Sequence, residues 1–160
     1  MTLLKKEDIL RGLQKIDARA KEAGIIVDIS IYGGAALAIA AEEGWPENWL
    51  NDGVKGFTSA NENMRLMERF DASDSGGLRI YTPAPEYLFA MKCMAMRPEG
   101  IEGSHDISDI ESLADIAGIR DAEMALNIVE SFYPASRIPP KVRFGVEEIM
   151  ERMAKRRGEE

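Results

Sequence analysis

The stretch from Tyr87 to Arg97 constrains this chain most, because every residue in it is apolar except Lys92 and Arg97. Pro83 and Pro85 stand just before it, and proline suits the first turn of a helix. The spacing predicts a helix over about 84–97. A helix that is apolar all round is a buried one, so the chain must surround it with other elements.

The order of those elements follows from periodicity. Residues 3 to about 22 read as an amphipathic helix with Ile9, Leu13, Ile16 and Ala20 on its apolar stripe, and Gly24 stops it. IIVDISIY, residues 25–32, is short and β-branched, with polar Asp28 and Ser30 on alternate positions, and reads as a half-buried strand. Gly33 and Gly34 follow, then a short apolar helix ending at Gly44 and a loop over 45–52. Strands are expected over 54–59 and 78–82, with a loop or helical turn over 61–70 and a turn cluster, DASDSGG, over 71–77. After the central apolar helix, PEGIEGS reads as a loop. Helices then follow over about 106–117, striped by Ile107, Ile110, Leu113, Ala114 and Ala117, and over about 121–132. Pro134, Pro139 and Pro140 break the chain before a last helix with Val142, Val146, Ile149, Met150 and Met153 on one face. Mixed α/β followed by all-helical order predicts an α+β class: a small mixed sheet with helices, then a helical C-terminal part. Its 160 residues suit one domain, with an α/β part over about 1–83 and a helical part over about 84–156.

Several classes of function are disfavoured. A net charge of −8 argues against non-specific nucleic-acid binding through the whole surface. The basic run Lys155, Arg156, Arg157 is a local exception and reads as a solvated tail. Cys93 is the single cysteine, sits among apolar residues, and reads as a core residue. His105 is the single histidine, which argues against a multi-histidine zinc site or a serine–histidine pair. The N-terminus has no signal-peptide pattern and no apolar run is long enough to span a bilayer. These features point to the cytoplasm, with no membrane partner.

Four features could carry chemistry. The strand–Gly33–Gly34–helix junction lets backbone approach a ligand, and the helix start beyond it offers free N–H groups to a phosphate. The same junction also serves as a packing device. Lys92 shares a helix face with Leu88 and Ala95, so it must be paired, snorkel to the surface or meet an anionic ligand. Asp106 and Asp109 stand at the expected start of a helix, where capping alone would account for them. Ser108 and Glu111 form an alternative capping box. Trp45, Trp49, Asn51, Asp52 and Lys55 form an aromatic, polar loop that closes a core or faces a ligand.

Taken in order, YGGAALAIA, IYTPAPEYLFAMKCMAMR and HDISDIESL resemble the motifs of the minimal nucleotidyltransferases related to abortive-infection and type IV toxin–antitoxin toxins. WPENWLNDGVKGF and FYPASRIPPKVRF are similar to one bacterial branch of that family. The resemblance runs from about residue 28 to 150. It implies a nucleotidyltransferase-like fold and Mg2+-dependent transfer of a nucleotide from an NTP to an RNA or protein acceptor, with an antitoxin as a possible partner. Gly33 and Gly34 would hold the triphosphate. Lys92 would contact phosphate or base with Arg97 in support, and Asp106 and Asp109 would match the later acidic motif.

One part of the pattern is missing. In this family an Asp-x-Asp strand follows the Gly-Gly helix and holds Mg2+, which demands oxygen ligands in octahedral geometry. Here AALAIA runs directly into AEEGWPENW. Glu42 and Glu43 are adjacent, about 100° apart on a helix, and are poor substitutes. Either the natural chain carries a further segment between Ala40 and Ala41, which the break in the pattern favours, or the protein is a degenerate member. In the second case it would be a non-catalytic nucleotide- or partner-binding module.

Overall fold

The computed structural model describes residues 6–31, 59–67, 70–72, 75–97 and 100–158. They form two compact units, the first drawn from Met1–Asp52 and Met64–Pro83, the second from Gly53–Asn63 and Ala84–Glu160. The fold is α+β, with a small mixed sheet followed by helices. None of the described helices is long and apolar enough to cross a membrane.

In the first unit, helix α1 (Lys6–Ala23) packs on a three-stranded sheet of β1 (Ile26–Ser30), β2 (Met64–Leu66) and β3 (Gly77–Pro83). The strand order is β1-β3-β2; β1 runs parallel to β3 and β2 antiparallel to it. Leu13, Phe70, Leu78 and Ile80 are the buried core, with Leu10, Val27, Ile29, Ile31 and Met67 packed around them. Alternation on β3 explains this, because Leu78 and Ile80 face α1 while Arg79 and Tyr81, on the alternate positions, do not. Gly24 ends α1 with φ +65°, as its position in the sequence suggests.

The turn before β3 needs its glycines. Gly77 has φ +127°, and a Cβ there would lie 2.8 Å from Asp17 Oδ1. That carboxylate is held close because it accepts the Leu78 amide at 2.9 Å and the Lys21 ammonium at 2.7 Å. A side chain at 77 would displace the link between α1 and the strand's first amide.

The second unit is helical. It contains α2 (Pro85–Ala95), α3 (Gly100–Ile116), α4 (Ala122–Phe132), a short 3-10 turn (Ala135–Arg137) and α5 (Pro140–Arg157). Helix α2 touches α3, α4 and α5, and its residues from Tyr87 to Cys93 are all buried. The all-round apolar pattern therefore does describe a central helix. Val142, Val146, Ile149, Met150 and Met153 are buried on α5, and Cys93 is a core residue. Asp121 caps α4 by accepting the Met124 amide at 2.8 Å. A strap at 59–63 lies against these helices: the Ser59 amide donates to the Tyr87 hydroxyl at 2.9 Å, and the Ser59 hydroxyl donates to the Phe132 carbonyl. The Asn61 side chain donates to the Ser131 carbonyl at 2.8 Å.

Four sequence expectations need correction. Residues 64–66 are a strand, where a loop or helical turn was expected; three residues are too few to show a period, and pairing with Tyr81–Pro83 decides them. Helix α3 starts at Gly100, not near 106. Glycine is a weak helix breaker that tertiary contacts override. Ile16 is 40% exposed, because it lies about 60° round α1 from Leu13, at the side of the buried stripe. The Lys155–Arg157 run is the last turn of α5, with Arg156 and Arg157 bound to carboxylates of α3. The helix expected before Gly44, the loop at 45–52 with Trp45 and Trp49, and residues 54–58 of the strand expected over 54–59 lie outside the described residues; Ser59, the last residue of that expected strand, is not in one.

Candidate functional site

The charged residues singled out from the sequence meet between the C-terminal end of α2 and the second and third turns of α3. Lys92 is on the last turn of α2, and its ammonium donates to Asp109 Oδ2 at 2.7 Å. The side chains are only 2% and 7% exposed, so this is a buried ion pair. Arg97 lies just beyond α2 and grips Asp106 three ways. Its backbone amide donates to Oδ2 at 3.1 Å, Nε to the same oxygen at 2.9 Å, and Nη2 to Oδ1 at 3.0 Å. This fork on a planar carboxylate is the geometry that arginine, unlike lysine, can supply.

Helix periodicity explains why both pairs form. Asp106 and Asp109 are three apart on α3 and therefore share a face. Because α3 begins at Gly100, Asp106 is in its second turn and Asp109 in its third, so neither is an N-cap. The capping account of these aspartates is thereby overturned, and so is the alternative box at Ser108 and Glu111. Ser108 is exposed, and its carbonyl accepts from the Ser112 hydroxyl as in any helix interior. Lys92 neither snorkels nor stands alone: a carboxylate matches it.

The electrostatics fit this arrangement. Burial pushes the Asp106 carboxyl up, but the Arg97 hydrogen bonds and the Arg97 and Lys92 charges outweigh burial and hold it below the usual carboxylate range. Cys93, one residue from Lys92 and wholly buried, has its thiol pushed well up and is protonated and inert at neutral pH.

A second charged group, on the outer side of α3, was missed by the sequence reading. Glu111 accepts from Arg152 and Arg156, and Asp115 accepts from Arg157. Its signal was there in the i, i+4 spacing of Glu111 with Asp115 and of Arg152 with Arg156. Each pair has one exposed and one half-buried partner, and together they tie α5 to α3. On the sheet, Asp28 and Arg79 form a two-bond pair at 2.6 and 2.8 Å.

Gly33 and Gly34 lie outside the described residues. Among the described residues no group of three or more His, Cys, Asp or Glu side chains could hold a metal ion. Asp106 and Asp109 do not fit a Mg2+ site as they stand, since each carboxylate is already bound by a cation. No family model matches this chain, and no curated protein or solved structure matches it.

Proposed function

We propose that the chain is a nucleotidyltransferase-like protein that binds an NTP and transfers its nucleotide to an RNA or protein acceptor, in the manner of a toxin restrained by an antitoxin. The observation supporting this reading is the meeting of Lys92 on α2 and Arg97 just beyond it with Asp109 and Asp106 on α3. These are the four charged residues that the resemblance singles out. An ammonium carries three N–H donors and Asp109 takes one, but Lys92 is 2% exposed, so a phosphate oxygen or a base would reach the other two only where the side chains covering it move aside. Arg97, with over a third of its side chain exposed, adds positive charge beside it. Nucleotide transfer depends mainly on positioning and charge neutralisation, which a lysine oriented by a carboxylate supplies. The Mg2+ implied by the resemblance finds no ligands in these four residues, and no step is assigned to it.

The test is titration of the chain with each of the four NTPs, with and without Mg2+, together with transfer of labelled nucleotide to RNA and protein. Mg2+-dependent binding and transfer are expected. Absence of binding to every NTP overturns the reading, and a folded Lys92→Ala protein that binds as well as wild type removes Lys92 from the site. A second reading is favoured by the missing Asp-x-Asp strand and the engaged carboxylates: a non-catalytic nucleotide- or partner-binding module. It predicts metal-independent binding and no transfer, and robust transfer by the 160-residue chain rules it out.

A further inference from the structure

We infer that Asp106 and Asp109 act as fixed counter-ions that tie the C-terminal end of α2 to α3 and orient Lys92 and Arg97, and that neither is a Mg2+ ligand. The inference rests on the donor set and does not depend on nucleotide binding. Mg2+ needs near-ideal octahedral oxygen geometry and several of its own waters. On Asp109 it would have to bind a carboxylate whose Oδ2 already accepts an ammonium at 2.7 Å, both buried, and like charges so close in a poorly solvated place repel strongly. Moving Lys92 aside would strip an almost fully buried cation of its partner. Asp106 is equally committed, since its Oδ2 accepts the Arg97 amide and Nε while Oδ1 accepts Nη2. Taking that carboxylate for a metal would break the bond that fixes the backbone at the end of α2.

A counter-ion and a ligand respond oppositely to paired substitution. Removing one member of a buried ion pair leaves a bare charge, whereas replacing both with apolar groups of similar size is close to neutral. The experiment compares thermal midpoints of wild type, Lys92→Met, Asp109→Leu and the Lys92→Met/Asp109→Leu double variant, each with and without Mg2+ and with no nucleotide present. Each single substitution is expected to lower the midpoint by roughly 6–20 °C, and the double variant to recover most of that loss. Any Mg2+-dependent rise seen in wild type should persist in the double variant. If a single variant does not fold, the double variant and wild type still decide. A double variant as unstable as the singles, or one that folds but loses a Mg2+-dependent rise present in wild type, overturns the inference.

Discussion

Tyr87→Phe removes one oxygen from the centre of the helical unit and leaves the rest of the ring in place. Tyr87 is fully buried, and its ring stacks on Phe132 with centroids 4.8 Å apart. Phenylalanine preserves that stack. The lost hydroxyl, however, accepts the Ser59 amide at 2.9 Å, and Ser59 is only 8% exposed. The amide is then left in a buried place without its acceptor, at a cost of about 1–3 kcal/mol. With a urea m-value of about 2 kcal/mol/M, the unfolding midpoint should fall by roughly 0.5–1.5 M. The measurement is a urea melt followed by circular dichroism. Hydrogen exchange should show the loss first at Ser59 and Asn61, whose amide donates to the Ser59 hydroxyl oxygen at 2.9 Å. A midpoint within experimental error of wild type, with Ser59 exchange unchanged, would refute the claim that this bond docks the strap.

Two further outcomes are expected. Leu78→Ala removes a wholly buried side chain from the core against α1 and should cost about 2–5 kcal/mol, whereas Ile16→Ser, at 40% exposure, should stay within about 0.5 kcal/mol; equal losses in denaturant melts would contradict the assigned burial. Acid should destabilise the fold. Asp106 and Asp17 titrate below the usual range, so their contribution is full above the unfolded carboxylate value of about 3.9 and disappears as pH falls through their lower folded values. Thermal midpoints should therefore drop between about pH 4 and 2, and an Asp106→Asn protein with an acid limb as steep as wild type would count against that carboxylate's share.

Much of the architecture was legible from one-dimensional pattern. Period-3.6 stripes identify α3 and α5, and the residues between Tyr87 and Cys93 identify a buried helix, because burial on all sides leaves no polar face. Alternation identifies β1, and its partner β3, also expected from the sequence, shows the same period over Leu78–Tyr81. What failed were short or ambiguous signals. Strand β2 is three residues long and exists only because β3 offers it hydrogen-bonding partners. The start of α3 was hidden by its glycines, whose low helix propensity is too weak a signal to set a boundary.

The candidate site divides in the same way. By itself the sequence determined that Lys92 must find an unusual answer, since a lysine in an apolar helix cannot be left buried and bare. It also determined that Asp106 and Asp109 share a helix face. Only the tertiary structure decided which answer is used, by laying α3 beside α2 so that Asp109 meets Lys92 and Asp106 meets Arg97. Spacing along one helix is a local property that sequence carries directly. Pairing between residues 17 apart depends on how two helices pack, and that depends on all the side chains between them.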